Sequence, residues 1–304
     1  MSLENDKYRR KLRYRYTLIY VLFIIIILLV IALFIVKNNN QLNANYENEI
    51  SNEHEDDAMV VEIEEKKKIE EEQKKQAELE KAKEEQLKKE EENASGIIYL
   101  TFDDGPTLDS TPKILDILSE RNIKATFFVL HYSNENEKFI KREQEDGHTV
   151  ALHGYTHTYS EVYASADSCM ENFRKIQNQV KNTTGVTSHI IRFPGGSSNT
   201  ISRKYCKGVM TELSKRVVDE GFRYFDWNVD SDDAGRAKTK EDIYKNVTTG
   251  LHQGRGNVVL MHDFGGNYKT IDALDAIIDY GLENGFVFRK ITDETPMVTH
   301  SVNN

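Results

Sequence analysis

The sequence predicts an α/β protein, a distorted barrel of seven or eight parallel strands preceded by a transmembrane helix and a charged helical stalk. Three observations carry this. From Ser95 onward, seven short apolar runs alternate with helical stretches, and strand–helix repeats of that kind give parallel strands with right-handed crossovers. Leu18–Val36 is an unbroken apolar run. Between the two, Val61–Glu92 is dense in Glu and Lys and holds neither Gly nor Pro.

In chain order, residues 1–16 form a basic tail, with six Lys and Arg crowded into Lys7–Arg15. Residues 17–36 are long enough to cross a hydrocarbon core of roughly 30 Å. The run ends in Val-Lys-Asn-Asn-Asn, without the small residues of a cleavage site, which favours an uncleaved span over a signal peptide. The preceding positive charge keeps the N-terminus cytoplasmic and sends the rest outward. The expected location is therefore the cell membrane, single-pass, with the globular part outside the cytoplasm. Residues 37–60 read as a polar spacer. Residues 61–93 carry Glu-to-Lys pairs at i,i+4, such as Glu62/Lys66 and Glu84/Lys88, which support a helix by about 0.3 kcal/mol each. Their apolar residues do not keep a heptad seam, so a solvated single helix is expected, with a weak coiled-coil dimer as the alternative and the oligomeric state open.

The globular part spans 95–292, with 293–304 as a C-terminal tail. Its strands are read as IIYLTF, ATFFVL, HTVALH, HIIRF, FRYFDWNV, NVVLMH and FVFRKI. The helices between them are Thr111–Glu120, Glu135–Glu145, Ala164–Lys181, Tyr205–Glu220, Glu241–His252 and Ile271–Asn284. The net charge of -10 is segregated along the chain, and no basic stripe marks the globular part, which speaks against nucleic-acid binding. Cys169 and Cys206 are too few for a disulfide framework and lack metal-motif spacing.

In a β/α barrel, chemistry gathers where the strands end. Those ends carry Asp103 and Asp104, then His153 and His157, Arg192, Asp230 and Asp233, and His262. Two imidazoles and one carboxylate, from His153, His157 and Asp104, suit Zn²⁺ or a similar divalent ion, with positions left for water and substrate. Such an ion polarises a carbonyl and lowers the pKa of bound water toward ~7. Asp103 is then free to accept a proton, with Arg192 as its ion-pair partner. His262 is a candidate proton donor, with Asp233 to keep it charged and turned. Tyr155, between the two histidines, is a candidate sugar contact or a packing residue.

Residues 95–292 resemble the NodB-like polysaccharide deacetylases, carbohydrate esterase family four. TFDDGP at Thr101–Pro106, H-x-x-x-H at His153–His157, RFPGG at Arg192–Gly196 and L-x-H at Leu260–His262 follow in the family's order. The resemblance implies a metal-dependent enzyme, with Zn²⁺ or Co²⁺ held by Asp104, His153 and His157. It gives Asp103 the role of general base oriented by Arg192, and His262 that of general acid. Leu260 would line the acetyl-methyl pocket, Pro194 and Gly195 would lie against substrate, and the Gly195 N–H would serve as an oxyanion donor.

Two positions depart from the family pattern. Ala234 stands where the fourth motif, D-x-x-D-W, has Trp, and Gly195 stands where many relatives have Tyr. The only tryptophan, Trp227, is read as part of a strand core. The resemblance implies hydrolytic N-deacetylation of a cell-wall glycan, foremost the N-acetylglucosamine of peptidoglycan, with release of acetate. Chitin oligomers, xylan esters and N-acetylmuramic acid are alternative substrates, and a catalytically silent glycan-binding domain is the alternative class.

Overall fold

The computed structural model describes residues 31, 33, 35–38 and 56–303. Apart from Ile31, Leu33, Ile35 and Val36, the apolar run Leu18–Val36 lies outside the described residues, and so does most of the polar spacer. No described helix is long and apolar enough to cross a membrane. The chain divides into two compact units, Met1–Ala82 and Lys83–Asn304. Helix α1, Asp56–Asn93, begins earlier than the charge pattern suggested, because Asp56–Val60 extends it without interruption. Its residues Ile69, Leu79 and Leu87 are exposed. At its end Arg289 bonds Glu90 at 3.1 Å and Glu91 at 3.0 Å.

Eight strands make one sheet in which every pair is parallel: β1 Gly96–Asp103, β2 Thr126–Leu130, β3 Thr149–Gly154, β4 Ile190–Ile191, β5 Arg223–Tyr224, β6 Val229–Asp230, β7 Gly256–His262 and β8 Phe286–Phe288. The helices are α2 Thr111–Glu120, α3 Glu137–Glu145, α4 Tyr159–Val162, α5 Ala166–Thr184, α6 Val209–Asp219, α7 Lys240–Gly250 and α8 Tyr268–Glu283. The strand order is β5-β4-β3-β2-β1-β7-β6, with β8 paired to the start of β1. The two outermost strands, β5 and β6, are consecutive in sequence and joined only by residues 225–228, so the sheet must curl round on itself.

Alternation along β1 divides the core. Ile98, Leu100 and Phe102 join the larger apolar cluster, together with Leu115 of α2, Phe173 of α5, Leu213 of α6 and Leu274 of α8. Tyr99 faces the other way, into a smaller cluster with Phe128, Phe225 and Val258 that contains no helix residue. The smaller cluster is therefore the barrel interior. Asp103, two positions on from Thr101 and four from Tyr99, shares that inward face, so β1 delivers a carboxylate to the barrel mouth.

The stretch FRYFDWNV is not one strand. The Asp226 carboxylate accepts from the Ser197 N–H at 2.8 Å, the Ser197 hydroxyl and the His300 N–H at 2.7 Å, while the Asp226 N–H donates to the Val298 carbonyl at 2.8 Å. The Phe225 N–H still donates to the Ile191 carbonyl and the Asn228 N–H to that of Val258, but the bonds of Asp226 turn it to the chain end and leave β5 and β6 on either side. Trp227 correspondingly lies outside the strands, half-buried and packed against the smaller cluster, with its ring edge on His300 at 4.8 Å. The C-terminal residues are thus bonded into the domain. Cys169 and Cys206 are free thiols.

Candidate active site

The end of β1 is shaped by a close approach. Asp104 turns to φ 77°, and its N–H donates to the Phe128 carbonyl at 3.2 Å. A Cβ on Gly105 would run into the carboxylate of Asp263, so glycine is needed there. That carboxylate is buried and held by the Thr111 hydroxyl at 2.6 Å and the Ser110 hydroxyl. Burial pushes it up to about 7.

Arg192 follows β4 and is wholly buried. Its guanidinium donates to Asp103 Oδ1 at 2.7 Å, Thr101 Oγ1 at 2.8 Å, and the carbonyls of Phe225 at 2.9 Å and Asp226 at 3.0 Å. One face lies 4.1 Å from the Phe128 ring centre. Asp103 has a cationic partner here, and Oδ2 remains turned toward His153 Nε2 at 3.9 Å. Burial raises the Asp103 carboxyl above its usual range, against the pull of Arg192 and His262.

Asp104, His153 and His157 come together, with ligand atoms all within 4.8 Å of one another. His153 Nδ1 bonds the Arg192 carbonyl at 2.9 Å, which fixes Nδ1 as the protonated nitrogen and leaves the Nε2 lone pair facing Asp104 Oδ1 at 3.6 Å. Burial drives the His153 pKa down to about 3, so the ring is neutral and able to ligate. Asp104 Oδ1 is buried without a hydrogen-bond partner, an arrangement that costs stability unless a cation satisfies it. The His157 ring lies 5.1 Å from that of His153. Two imidazole nitrogens and one orphaned carboxylate oxygen fit a divalent ion of the zinc type. The loop between the histidines is pinned by Asn172, which accepts from the Thr156 N–H at 2.8 Å and donates to its carbonyl at 3.1 Å.

His262 ends β7, its Nδ1 2.7 Å from Asp233 Oδ1. Asp233 Oδ2 accepts from the His262 N–H at 2.8 Å, Asn267 at 2.9 Å and Thr270 at 2.7 Å. Burial alone would raise Asp233, but these bonds and the imidazolium charge bring it down to about 2. Burial alone would likewise lower His262. The bond and charge of Asp233, with Asp103 and Asp104 behind them, lift it to about 9. At neutral pH the pair is therefore imidazolium and carboxylate.

The loop after Arg192 is held from two sides. The Tyr163 hydroxyl donates to the Pro194 carbonyl at 2.7 Å, and Asp226 grips Ser197. Gly195 takes φ 76°, open to glycine without strain. Leu260 is buried in β7, and Tyr155 is exposed with its ring 4.3 Å from that of His131. Asp230 stands apart from the cluster, exposed and accepting from the Asp232 N–H at 2.8 Å. Ala234 is exposed. The residues that sequence reasoning missed are the supports: Thr101, Asn172, Asp226, Asn267 and Thr270. Only Thr101 had a signal, its period-two relation to Asp103.

The Polysaccharide deacetylase family description matches residues 90–210. The chain is 31% identical over 205 residues to a Bacillus cereus peptidoglycan-N-acetylglucosamine deacetylase, covering 66% of this chain and 70% of that protein. It is 33% identical over 198 residues to the peptidoglycan-N-acetylglucosamine deacetylase PgdA of Listeria monocytogenes, covering 64% of this chain and 38% of that one. Among solved structures, the catalytic domain of a peptidoglycan N-acetylglucosamine deacetylase from Eubacterium rectale superposes with a TM-score of 0.64 at 41% identity, covering 68% of this chain and 94% of the other. With Asp103, Asp104, His153, His157 and His262 gathered at the ends of parallel strands, and with relatives of this similarity, the chain belongs to the polysaccharide deacetylase family.

Proposed function

We propose that this enzyme removes acetate from N-acetylglucosamine residues of peptidoglycan, working from the outer face of the cell membrane. The observation that carries the chemistry is the division of labour at the barrel mouth. Asp103 is paired to Arg192 by one oxygen only, while Asp104 faces the two histidines and His262 is held charged by Asp233. The substrate class rests on the likeness to the Bacillus, Listeria and Eubacterium enzymes. The anchor rests on the apolar run Leu18–Val36 and the basic cluster before it, with the Glu/Lys-rich helix lying between anchor and enzyme in the chain.

Asp104, His153 and His157 would hold the ion, Zn²⁺ before Co²⁺. Bound there, a divalent ion supplies Lewis acidity for an acyl oxygen and lowers the pKa of water. Asp103 takes a proton from the attacking water, and its raised affinity for protons suits a base. Arg192 fixes the carboxylate through Oδ1 and leaves Oδ2 for that proton. Asp233 occupies His262 Nδ1, so the proton that His262 gives to the departing amine is the one on Nε2. Leu260 borders the acetyl methyl, and Pro194, Gly195 and Tyr155 border the sugar.

The test is acetate release by the zinc-loaded full chain from peptidoglycan, chitin oligomers, acetylated xylan and N-acetylmuramic acid-containing fragments. Release from peptidoglycan with free glucosamine in the product is the expected result. Activity confined to xylan esters or chitin oligomers would replace the substrate, and binding to glycan without acetate release would mark a silent domain.

A further inference from the structure

Gly195 stands where the motif in many relatives has tyrosine, and another tyrosine fills that room. A Cβ built on Gly195 would run into the Tyr159 hydroxyl. Tyr159 comes two residues after His157, and its ring lies edge-on to the imidazole of that ligand, centroids 5.6 Å apart at 77°. It also packs against the Tyr163 ring at 5.5 Å, whose own hydroxyl grips the Pro194 carbonyl. The phenol is therefore fixed by packing against two rings and delivered to the Gly195 peptide. Among the described residues, neither the Tyr159 hydroxyl nor the Gly195 N–H has a hydrogen-bond partner. Two free donors thus lie together beside His157, one of the three candidate ligands.

We propose that the Tyr159 hydroxyl and the Gly195 N–H form a donor pair for the acyl oxygen, which makes Tyr159 a catalytic residue. The assignment rests on the deacetylase reading above. As water adds to the acyl carbon, the carbonyl electron pair moves onto oxygen and the water's proton passes to Asp103. Tyr159 donates a hydrogen bond to that oxygen and keeps its own proton. On collapse the pair returns, the carbon–nitrogen bond breaks, and the amine takes a proton from His262. A donor of this kind is worth more to the charged intermediate than to the substrate, so its loss appears in kcat.

The experiment compares the zinc-loaded full chain with Tyr159→Phe on peptidoglycan and on 4-nitrophenyl acetate, an acyl donor without a sugar, with zinc content measured alongside. The ring and its packing survive this substitution. The expected result is a kcat lowered about 100-fold on both substrates, with KM and zinc content unchanged. An unchanged kcat would overturn the proposal. So would a loss on glycan alone, which would make the phenol a sugar contact, or a loss of zinc, which would make it a support for His157. Gly195→Ala, whose methyl displaces the hydroxyl, should cost much less in the Tyr159→Phe background than in the native one, and equal costs would also overturn it. A native enzyme that hydrolyses the ester but no glycan would unseat the glycan reading and leave this comparison standing on the ester.

Discussion

Asp103 and His262 are register partners across the parallel β1/β7 pair, so the proposed base and the proposed acid stand on adjacent strands at one level. Each is held by a buried group of opposite charge, Arg192 for Asp103 and Asp233 for His262. The reaction needs the first deprotonated and the second protonated, and these pairings set the pH range in which both hold.

The ratio kcat/KM should climb on the acid side as Asp103 loses its proton, stay level through neutrality, and fall above about 9 as His262 loses its own. Asp233→Asn removes the carboxylate that lifts the imidazolium. The basic limb should then move down toward the ordinary histidine value of ~6.5. A pH–rate profile whose basic limb ignored this substitution would assign the acid to another group.

Asp103→Asn should keep its metal and lose turnover by about 10²- to 10⁴-fold, because the ligand set does not include it. His153→Ala should lose the metal itself. Elemental analysis after gel filtration, paired with acetate release, separates the two. Chelator treatment of the native enzyme should abolish activity, and zinc or cobalt should restore it.

Arg192 is the buried cation hydrogen-bonded to Asp103, so Arg192→Met strands a carboxylate in the barrel interior. Breaking a buried pair in this way costs about 3–5 kcal/mol. Urea unfolding should show a lower midpoint with an unchanged slope. A midpoint equal to that of the native protein would mean that the ion pair contributes nothing to stability.

Asn172 touches no ligand atom, yet it fixes both polar groups of the Thr156 peptide beside His157. Asn172→Ala should weaken zinc binding by about 10-fold or more, as losses in the support of a metal site commonly do. Competition against a chromophoric chelator would measure this, with Asp103→Asn as the control that leaves affinity alone.

Much of this was readable in the chain. The run IIYLTFDD announced β1 as a short apolar strand ending in two adjacent carboxylates, and Thr111–Glu120 has the bounds its pattern suggested. The strands β4, β5 and β6 are shorter than the apolar runs HIIRF and FRYFDWNV, and between β5 and β6 the Asp226 N–H goes to the Val298 carbonyl instead of to a neighbouring strand. Strand-end residues were legible because strand ends gather chemistry. Their supports were not, since bonds such as Arg192 to Thr101 or Asn267 to Asp233 join residues that no local pattern relates. The reading of Asp230 alongside Asp233 shows the same limit: one turn of loop sends the first outward and the second inward.

The chain end supplies a missing stave. Val298 and His300 close the seam at Asp226, and the carbonyls of Phe225 and Asp226 on that seam are two of the four acceptors around the Arg192 guanidinium. A deletion beginning at Val298, remote in sequence from any reacting group, should therefore loosen the base itself, and a truncated chain that melted and turned over like the intact one would refute this.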